Sequence, residues 1–270
     1  MLTDAQIERY SRQIILQEVG GRGQQKLLDG RVLIIGAGGL GAPIALYLAA
    51  AGVGTIGIAD HDEVDISNLQ RQVIHFTSDV GRAKVDSAKE KIEAINPGIR
   101  VNTYREYICA ANILSIIQDY DFVIDGTDNF SAKFLINDAC VVGAKPYSHA
   151  GVLRFDGQTI TVKPGESACY RCIFPSPPPA DAIPTCAQAG VIGVLPGILG
   201  MIQATEAIKF LLGQGELLSG RLLTCNALTM KFREIPVQRA PNCPVCGVEP
   251  TIKKIRDEWN ALIKCDLEKA

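Results

Sequence analysis

Arg31-Val-Leu-Ile-Ile35 runs directly into Gly36-Ala-Gly38-Gly39-Leu-Gly41, and the apolar stretch Leu40 to Ala51 and a second run, Thr55 to Ala59, follow. A short apolar run stopped by glycine reads as a buried strand, the longer stretch as a helix, and the three together as a βαβ unit. The glycines fit G-x-G-x-x-G at a strand-to-helix turn. There the N–H groups of a helix N-terminus are free to meet a phosphate, and the missing side chains let it approach. Asp60 closes the second strand, where a carboxylate accepts from a ribose hydroxyl. Tight-turn glycines with a capping Asp are the plainer alternative.

The alternation continues outward from this unit. Helices are expected over about Arg82 to Ile95, Ala111 to Gln118 and Phe130 to Val142, and strands near Ile99 to Tyr104 and Phe122 to Ile124. Such a pattern implies a Rossmann-like, doubly wound α/β fold with a mostly parallel sheet. After Tyr147 the pattern changes. Tyr147 to Leu153 with Gln158 to Val162, and Leu222 to Asn226 with Lys231 to Ile235, read as strand pairs that extend the sheet antiparallel. Between them lie a proline-rich stretch, Pro175 to Pro184, expected as an exposed crossing loop, and a long helix from about Val191 to Leu212. Ahead of Arg31, Thr3 and Gln6 make a capping box for a helix over about residues 4–20 that frays into Gly20-Gly21-Arg22-Gly23. The tail from Thr251 reads as a short charged helix.

Composition narrows the function classes. The 270 residues are 47% apolar and 21% charged, ordinary for a globular chain, and the net charge of −2 provides no basic surface for nucleic acid. Ala189 to Ile202 is uncharged but shorter than a membrane span and rich in glycine, so a buried helix entry is expected. The first residues are polar and acidic, with no export signal, so the expected compartment is the cytoplasm and the nine cysteines are expected as thiols.

A nicotinamide dehydrogenase has no need of what comes next: Asp60-His-Asp62-Glu-Val-Asp-Ile-Ser67-Asn68-Leu69-Gln70-Arg71-Gln72, a dense polar segment beyond a strand's carboxyl end. With Gly81-Arg-Ala-Lys84 and Asp125-Gly-Thr-Asp128-Asn129, it resembles the adenylation domain shared by ThiF, MoeB and ubiquitin-activating enzymes over about residues 8–247. The resemblance implies an ATP- and Mg²⁺-dependent adenylyltransferase. It implies nucleotide contacts at the glycine loop (Gly36, Gly38, Gly39, Gly41), at Asp60, along Asp62 and Ser67 to Gln72, and at Lys84, Asp128 and Asn129, with Asp128 near the magnesium. Arg12 matches the arginine that reaches the triphosphate of a neighbouring subunit, which implies a homodimer. The implied substrate is a small ubiquitin-like sulfur carrier ending in Gly-Gly. Residues 1–250 are then one E1-like domain, with a nucleotide half over about 31–145, a carrier and zinc half over about 146–250, and a tail at 251–270. The chemistry agrees with this. A C-terminal carboxylate, with a pKa near 3.5, is already ionised and needs no general base, which leaves electrostatic work for Arg12, Arg71, Lys84 and Mg²⁺. A carboxylate on modified tRNA, a hydride-transfer reaction and a scaffold without turnover are the competing readings.

Cys169-Tyr-Arg-Cys172 and Cys243-Pro-Val-Cys246 supply four thiolates, enough to close a tetrahedral structural zinc site if the fold brings the pairs together; a redox role is the alternative for either pair alone. Cys186, after the proline-rich stretch and ahead of a helix, matches the position at which ThiF-type members form a covalent link to their carrier, and it is the candidate for sulfur transfer. Cys109, Cys140 and Cys225 read as core residues. His61, His75 and His149 are expected as hydrogen-bonded loop or core histidines, although His61 and His149 lie near the nucleotide motifs. With no rhodanese-like domain after residue 250, the sulfur donor is expected to be a separate cysteine desulfurase or rhodanese.

Overall fold

A computed structural model describes residues 1–178 and 189–257. Its centre is an eight-stranded sheet in the order β3-β2-β1-β4-β5-β6-β7-β8. The strands are β1 (Arg31–Ile35), β2 (Thr55–Ala59), β3 (Arg100–Tyr104), β4 (Phe122–Asp125), β5 (Tyr147–Leu153), β6 (Asp156–Val162), β7 (Arg221–Asn226) and β8 (Lys231–Pro236). The first five in spatial order are parallel. From β5 onward the pairing is antiparallel. The chain winds outward from β1 to β3 and then returns to lay β4 on the other side of β1. The carboxyl ends of β1 and β4 therefore flank the switch point where such sheets bind ligands.

Both faces of the parallel part are covered, as βαβ crossovers require. Val32 and Ile34 of β1 join one core with α4 (Gly41–Ala51), α5 (Lys84–Ile95) and α9 (Val194–Leu212). Leu33 and Ile35 join the other, with α6 (Ile113–Ile117) and α7 (Phe130–Val142). α8 (Tyr170–Ile173) is a single turn that carries the first cysteine pair. By length and composition α9 could cross a membrane. Its Leu195, Leu199, Gln203, Ala204 and Glu206 are instead buried against β5 and β6, which makes it the core helix expected from the sequence.

The N-terminus departs from expectation. The Thr3–Gln6 capping box is present, but it starts only α1 (Asp4–Arg9), followed by α2 (Ser11–Ile14). The glycine-rich stretch read as frayed is the start of a third helix, α3 (Gly20–Asp29). The reason is tertiary. A side chain at Gly23 would press on Leu212 at the end of α9, and Lys26 from the same helix caps the Leu212 carbonyl at 2.6 Å. Close packing against α9 thus selects small residues that local propensity disfavours in a helix. At the other end, residues 251–257 are not helical. The rest of the expected tail helix lies outside the described residues, as do Cys186 and much of the proline-rich stretch.

Candidate active site

Gly36 leaves β1 with φ of +100°, and a side chain on it would overlap the Gly126 carbonyl just past β4. Gly41 is equally constrained, because a Cβ there would overlap the Gly36 carbonyl oxygen. Only glycines let the two strand ends and the start of α4 come this close. The loop is also held from outside. The Ala37 N–H donates to Asp60 Oδ2 at 2.8 Å, and Asp60 Oδ1 accepts from the Asp62 N–H at 2.9 Å. Among the described residues nothing accepts from the N–H groups of Gly38 and Gly39.

Around this loop a pocket gathers Gly36, Gly38, Gly39, Asp60, Asp62, Asn68, Arg71, Gln72, Lys84, Asp128 and Asn129, residues from five separate segments. Lys84, the first residue of α5, is almost wholly buried, and its Nζ lies 2.7 Å from Asp62 Oδ2. Arg71 donates to the Ser67 carbonyl at 3.2 Å, and Gln72 donates to Asn68 Oδ1 at 2.7 Å while its own Oε1 is buried without a partner. Ser67, Leu69 and Gln70 do not line the pocket. The 3₁₀ turn Ile66–Asn68 ties the Ser67 hydroxyl to Asp65, and Gln70 packs beside Gly193. Gly41 acts through packing beneath the loop. Leu40, Tyr107, Thr127, Val191 and Pro196 line the pocket without having been singled out in the sequence.

Asp128 is exposed, and among the described residues nothing pairs with its carboxylate. Capping α7 falls to Asn129, whose Oδ1 accepts from Ala132 N–H at 2.8 Å, so Asp128 is not the helix cap. A free carboxylate beside the glycine loop is a suitable oxygen ligand for Mg²⁺. Thr127, Asp128, Asn129 and Val152 belong to two cavities at once, because a groove of about 920 Å³ opens on their far side. Its walls include Phe130, His149, Gln158, Tyr170 and Phe174, and Lys231 and Arg233 stand at its outer end on β8.

Beneath the shared wall lies a buried charged group that the sequence did not disclose. Asp125, fully buried at the end of β4, accepts from His149 Nδ1 at 2.8 Å and from Lys133 Nζ at 3.3 Å on one oxygen, and from Thr127 on the other. Lys133 spends its remaining two hydrogens on the carbonyls of Thr127 and Ala150. Burial would raise the Asp125 carboxyl, but Lys133 and His149 outweigh it and hold it ionised. His149 is lowered by burial and by Lys133, so it is neutral with its proton on Nδ1. His149 is thus the core histidine expected, and so is His75, bonded to Ser87 and Ala37. His61 packs edge-on against Tyr107 at the pocket rim.

Arg12 is not in the pocket of its own chain. It lines a separate depression with Tyr47, Met201 and Thr205.

The two cysteine pairs meet. All four Sγ atoms lie within 4.8 Å of one another, with Cys169–Cys172 at 3.9, Cys169–Cys243 at 3.6 and Cys172–Cys246 at 3.3 Å. A tetrahedron with Zn–S bonds of about 2.3 Å has S···S edges of roughly 3.8 Å, so the arrangement fits a structural zinc ion with no open position. Each pair on its own is thereby removed as a redox motif. Cys140 and Cys225 are buried free thiols as expected. Cys109 is a buried core residue as expected, and it is disulfide-bonded, unlike the thiol expected of all nine cysteines.

A glycine loop at the switch point, a ring of charges around it and a four-thiol clamp define a nucleotide-binding α/β protein with a zinc-type staple. Residues 10–245 match the ThiF family model, and the chain belongs to that family. It is 46% identical over 260 residues to a sulfur carrier protein adenylyltransferase of Thermus thermophilus, covering 94% of this chain and 96% of that one. It is 46% identical over 256 residues to a SAMP-activating enzyme E1 of Haloferax volcanii, covering 95% and 94%. A probable adenylyltransferase/sulfurtransferase MoeZ of Mycobacterium tuberculosis is 47% identical over 247 residues, which span 90% of this chain but 63% of that protein. Among solved structures, E. coli MccB with ATP superposes with a TM-score of 0.78 at 25% identity, over 88% of this chain and 74% of that one.

Proposed function

We propose that this protein transfers AMP from ATP to the C-terminal carboxylate of a small ubiquitin-like sulfur carrier ending in Gly-Gly. The observation that carries the reading is the shared wall: Thr127 to Asn129 and Val152 face both the glycine-loop pocket and the long groove. A nucleotide in the pocket and an extended peptide in the groove would meet at Asp128. Two terminal glycines suit such a meeting because they carry no side chain to obstruct it. The match in length and sequence to the Thermus and Haloferax proteins supports the same substrate class.

In this reading the N–H groups of Gly38 and Gly39 hold phosphate oxygens and Asp60 takes the ribose. A carboxylate oxygen of the carrier attacks the α-phosphorus, and the bond to the β-phosphate oxygen breaks, so pyrophosphate leaves with the electron pair. Arg71 and Lys84 offset the charge that builds on the departing group. Mg²⁺ bound at Asp128 would supply further charge compensation, and Zn²⁺ at Cys169, Cys172, Cys243 and Cys246 would be structural. Arg12 would serve the pocket of a second copy. The exposed apolar side chains Ile7, Ile15, Leu16, Tyr47 and Met201, on the same N-terminal and helical elements, support a homodimer. We assign residues 1–250 to one adenylation domain in the cytoplasm, with a separate cysteine desulfurase or rhodanese as sulfur donor. Sulfur transfer through Cys186 would come after adenylation, so Cys186→Ala is expected to leave adenylation intact.

The test is exchange of labelled pyrophosphate into ATP by the purified protein with Gly-Gly-ended carriers. Exchange that requires both Mg²⁺ and a carrier, and that is lost when the terminal glycine is removed, is the expected result. Exchange without any carrier, or none with any of them, overturns the proposal.

A further inference from the structure

His75 lies beyond the polar segment and outside the pocket lining, yet it joins two parts of the pocket. Its Nε2 is 3.0 Å from the Ala37 carbonyl in the middle of the glycine loop, and its Nδ1 is 2.8 Å from Ser87 Oγ on α5. The same helix begins at Lys84, one turn earlier. His75, Ser87 and Asp79 are all buried, and Ser87 Oγ is also 2.9 Å from Asp79 Oδ2, which Lys91 and the Phe76 N–H hold from other sides.

The proton positions follow from the partners. A carbonyl oxygen only accepts, so Nε2 must carry the hydrogen that bonds Ala37. Burial lowers the basicity of His75, which leaves Nδ1 as an acceptor for Ser87. The single Ser87 hydrogen has two acceptors within reach, Nδ1 and Asp79; placed on Nδ1 it makes the tie between His75 and α5, and the Nε2–H bond to Ala37 is the same for either placement. The Ala37 peptide groups are therefore gripped on both sides: Asp60 takes the N–H at 2.8 Å, and His75 donates to the C=O. Gly36 and Gly38, on either side, have no side chains with which to hold their own conformation.

We propose that His75 is a positioning residue for ATP: it couples the glycine loop to the helix that presents Lys84, so that the loop N–H groups and the Lys84 ammonium keep a fixed separation across the triphosphate. This rests on the ATP reading above and adds to it a residue that does not touch the nucleotide. Without His75 the Ala37 carbonyl would lose its partner, and the loop would keep the Asp60 clamp and the backbone bonds at Gly36 and Gly38. Lys84 would then be tied to the loop through Asp62 and Asp60 at the pocket rim, without the second tie that His75 makes beneath it. The consequence is a loss of nucleotide affinity, with carrier binding unaffected, since the groove lies on the other side of the Thr127–Asn129 wall.

The test compares His75→Leu, His75→Asn, His75→Gln and Ser87→Ala in the full chain. KM values for ATP and for carrier are taken from pyrophosphate exchange, equilibrium binding is measured with a non-hydrolysable ATP analogue, and folding is checked by melting. His75→Leu is expected to raise the KM for ATP about tenfold, the value of one well-made buried hydrogen bond, and to leave the carrier KM within twofold. His75→Gln, whose amide nitrogen reaches as far as Nε2, should recover to within about threefold. His75→Asn reaches only toward Ser87 and should behave like Leu. It stands in for Leu if that variant does not fold. Ser87→Ala, which cuts the link to α5 and a hydrogen bond to Asp79 but keeps the bond to Ala37, should lie between them. A folded Leu or Asn variant with unchanged ATP KM, or with ATP and carrier KM raised alike, overturns the inference. If the wild type shows no carrier-dependent exchange, the proposed function fails, and analogue binding by the same variants still decides the role of His75. A wild type that binds no ATP analogue overturns both.

Discussion

Replacing Lys84 by Met separates catalysis from folding cleanly. Nζ is almost fully buried and paired at 2.7 Å with Asp62, but Asp62 is 51% exposed. When the ammonium is removed, the Asp62 carboxylate turns to water, so the stability cost is that of a largely surface ion pair, up to about 1 kcal/mol. The four-carbon stem is replaced by a side chain of similar length, which keeps the packing at the start of α5. The activity cost is of another order. Two unit charges about 4 Å apart at an effective dielectric of about 20 interact by about 4 kcal/mol. At 1.36 kcal/mol per tenfold, that is roughly a thousandfold in rate for an ammonium facing the departing pyrophosphate. Part of that is shared by Arg71 and by water in the open pocket, so a loss of about 10²- to 10³-fold in carrier-dependent pyrophosphate exchange is expected. Melting curves recorded beside the exchange assay should differ by no more than a few degrees. If Lys84→Met retains more than a tenth of wild-type exchange, the ammonium is not facing the triphosphate. If it melts far below the wild type, Lys84 is holding the fold instead.

Gly41→Ala must push a methyl into the Gly36 carbonyl, whereas Gly197→Ala on α9 has nothing within 4 Å. The first should lose about 3 kcal/mol and the second gain about 0.5–1 kcal/mol, and equal effects in denaturant titrations would mean the loop packing is misjudged. Metal analysis should return one zinc per chain, and Cys243→Ser should release it and lower the melting point by roughly 6–12 °C, the equivalent of about 3 kcal/mol at this size; retention of zinc by that variant would contradict the four-sulfur site. At Asp79, burial works to raise the carboxyl, but Lys91, the Phe76 N–H and Ser87 outweigh it and hold it below its ordinary 3.8. Its contribution is therefore complete above about pH 4 and is lost as pH falls through the depressed folded-state value. Asp79→Asn should cost about 3 kcal/mol at neutral pH by taking the buried carboxylate from Lys91, which keeps the exposed Glu90 at 3.2 Å, and should flatten the acid limb of the stability–pH curve; an unchanged acid limb would mean that Asp79 does not drive it.

What could be read in the sequence was what is encoded locally. β2, β5 and α7 begin and end where the apolar pattern places them, because strand alternation and helix periodicity are set by near neighbours. The glycine loop, Asp60, Arg71, Lys84 and Asp128 do share one pocket. The failures depend on distant partners. The helical start at Gly20 depends on Leu212, far along the chain. Ser67, Leu69 and Gln70 sit in a motif whose neighbours line the pocket, but the turn at Ile66–Asn68 aims them elsewhere. Lys133 and His149 carry no local signal, since their common partner Asp125 is reached only when β4, β5 and α7 assemble.

That group of three also bears on how this wall can change over generations. Lys133 has three hydrogens and three acceptors, and Asp125 has no exposure to water. A lineage that loses the lysine alone passes through a protein with a stranded buried carboxylate, at about 3–5 kcal/mol, a large share of the total margin of a typical domain. Replacing the charges together by well-packed neutral residues avoids that intermediate cost. Drift at positions 125, 133 and 149 should therefore be concerted, and the partition between the two cavities should be slow to vary for reasons of folding, independent of any demand made by the reaction.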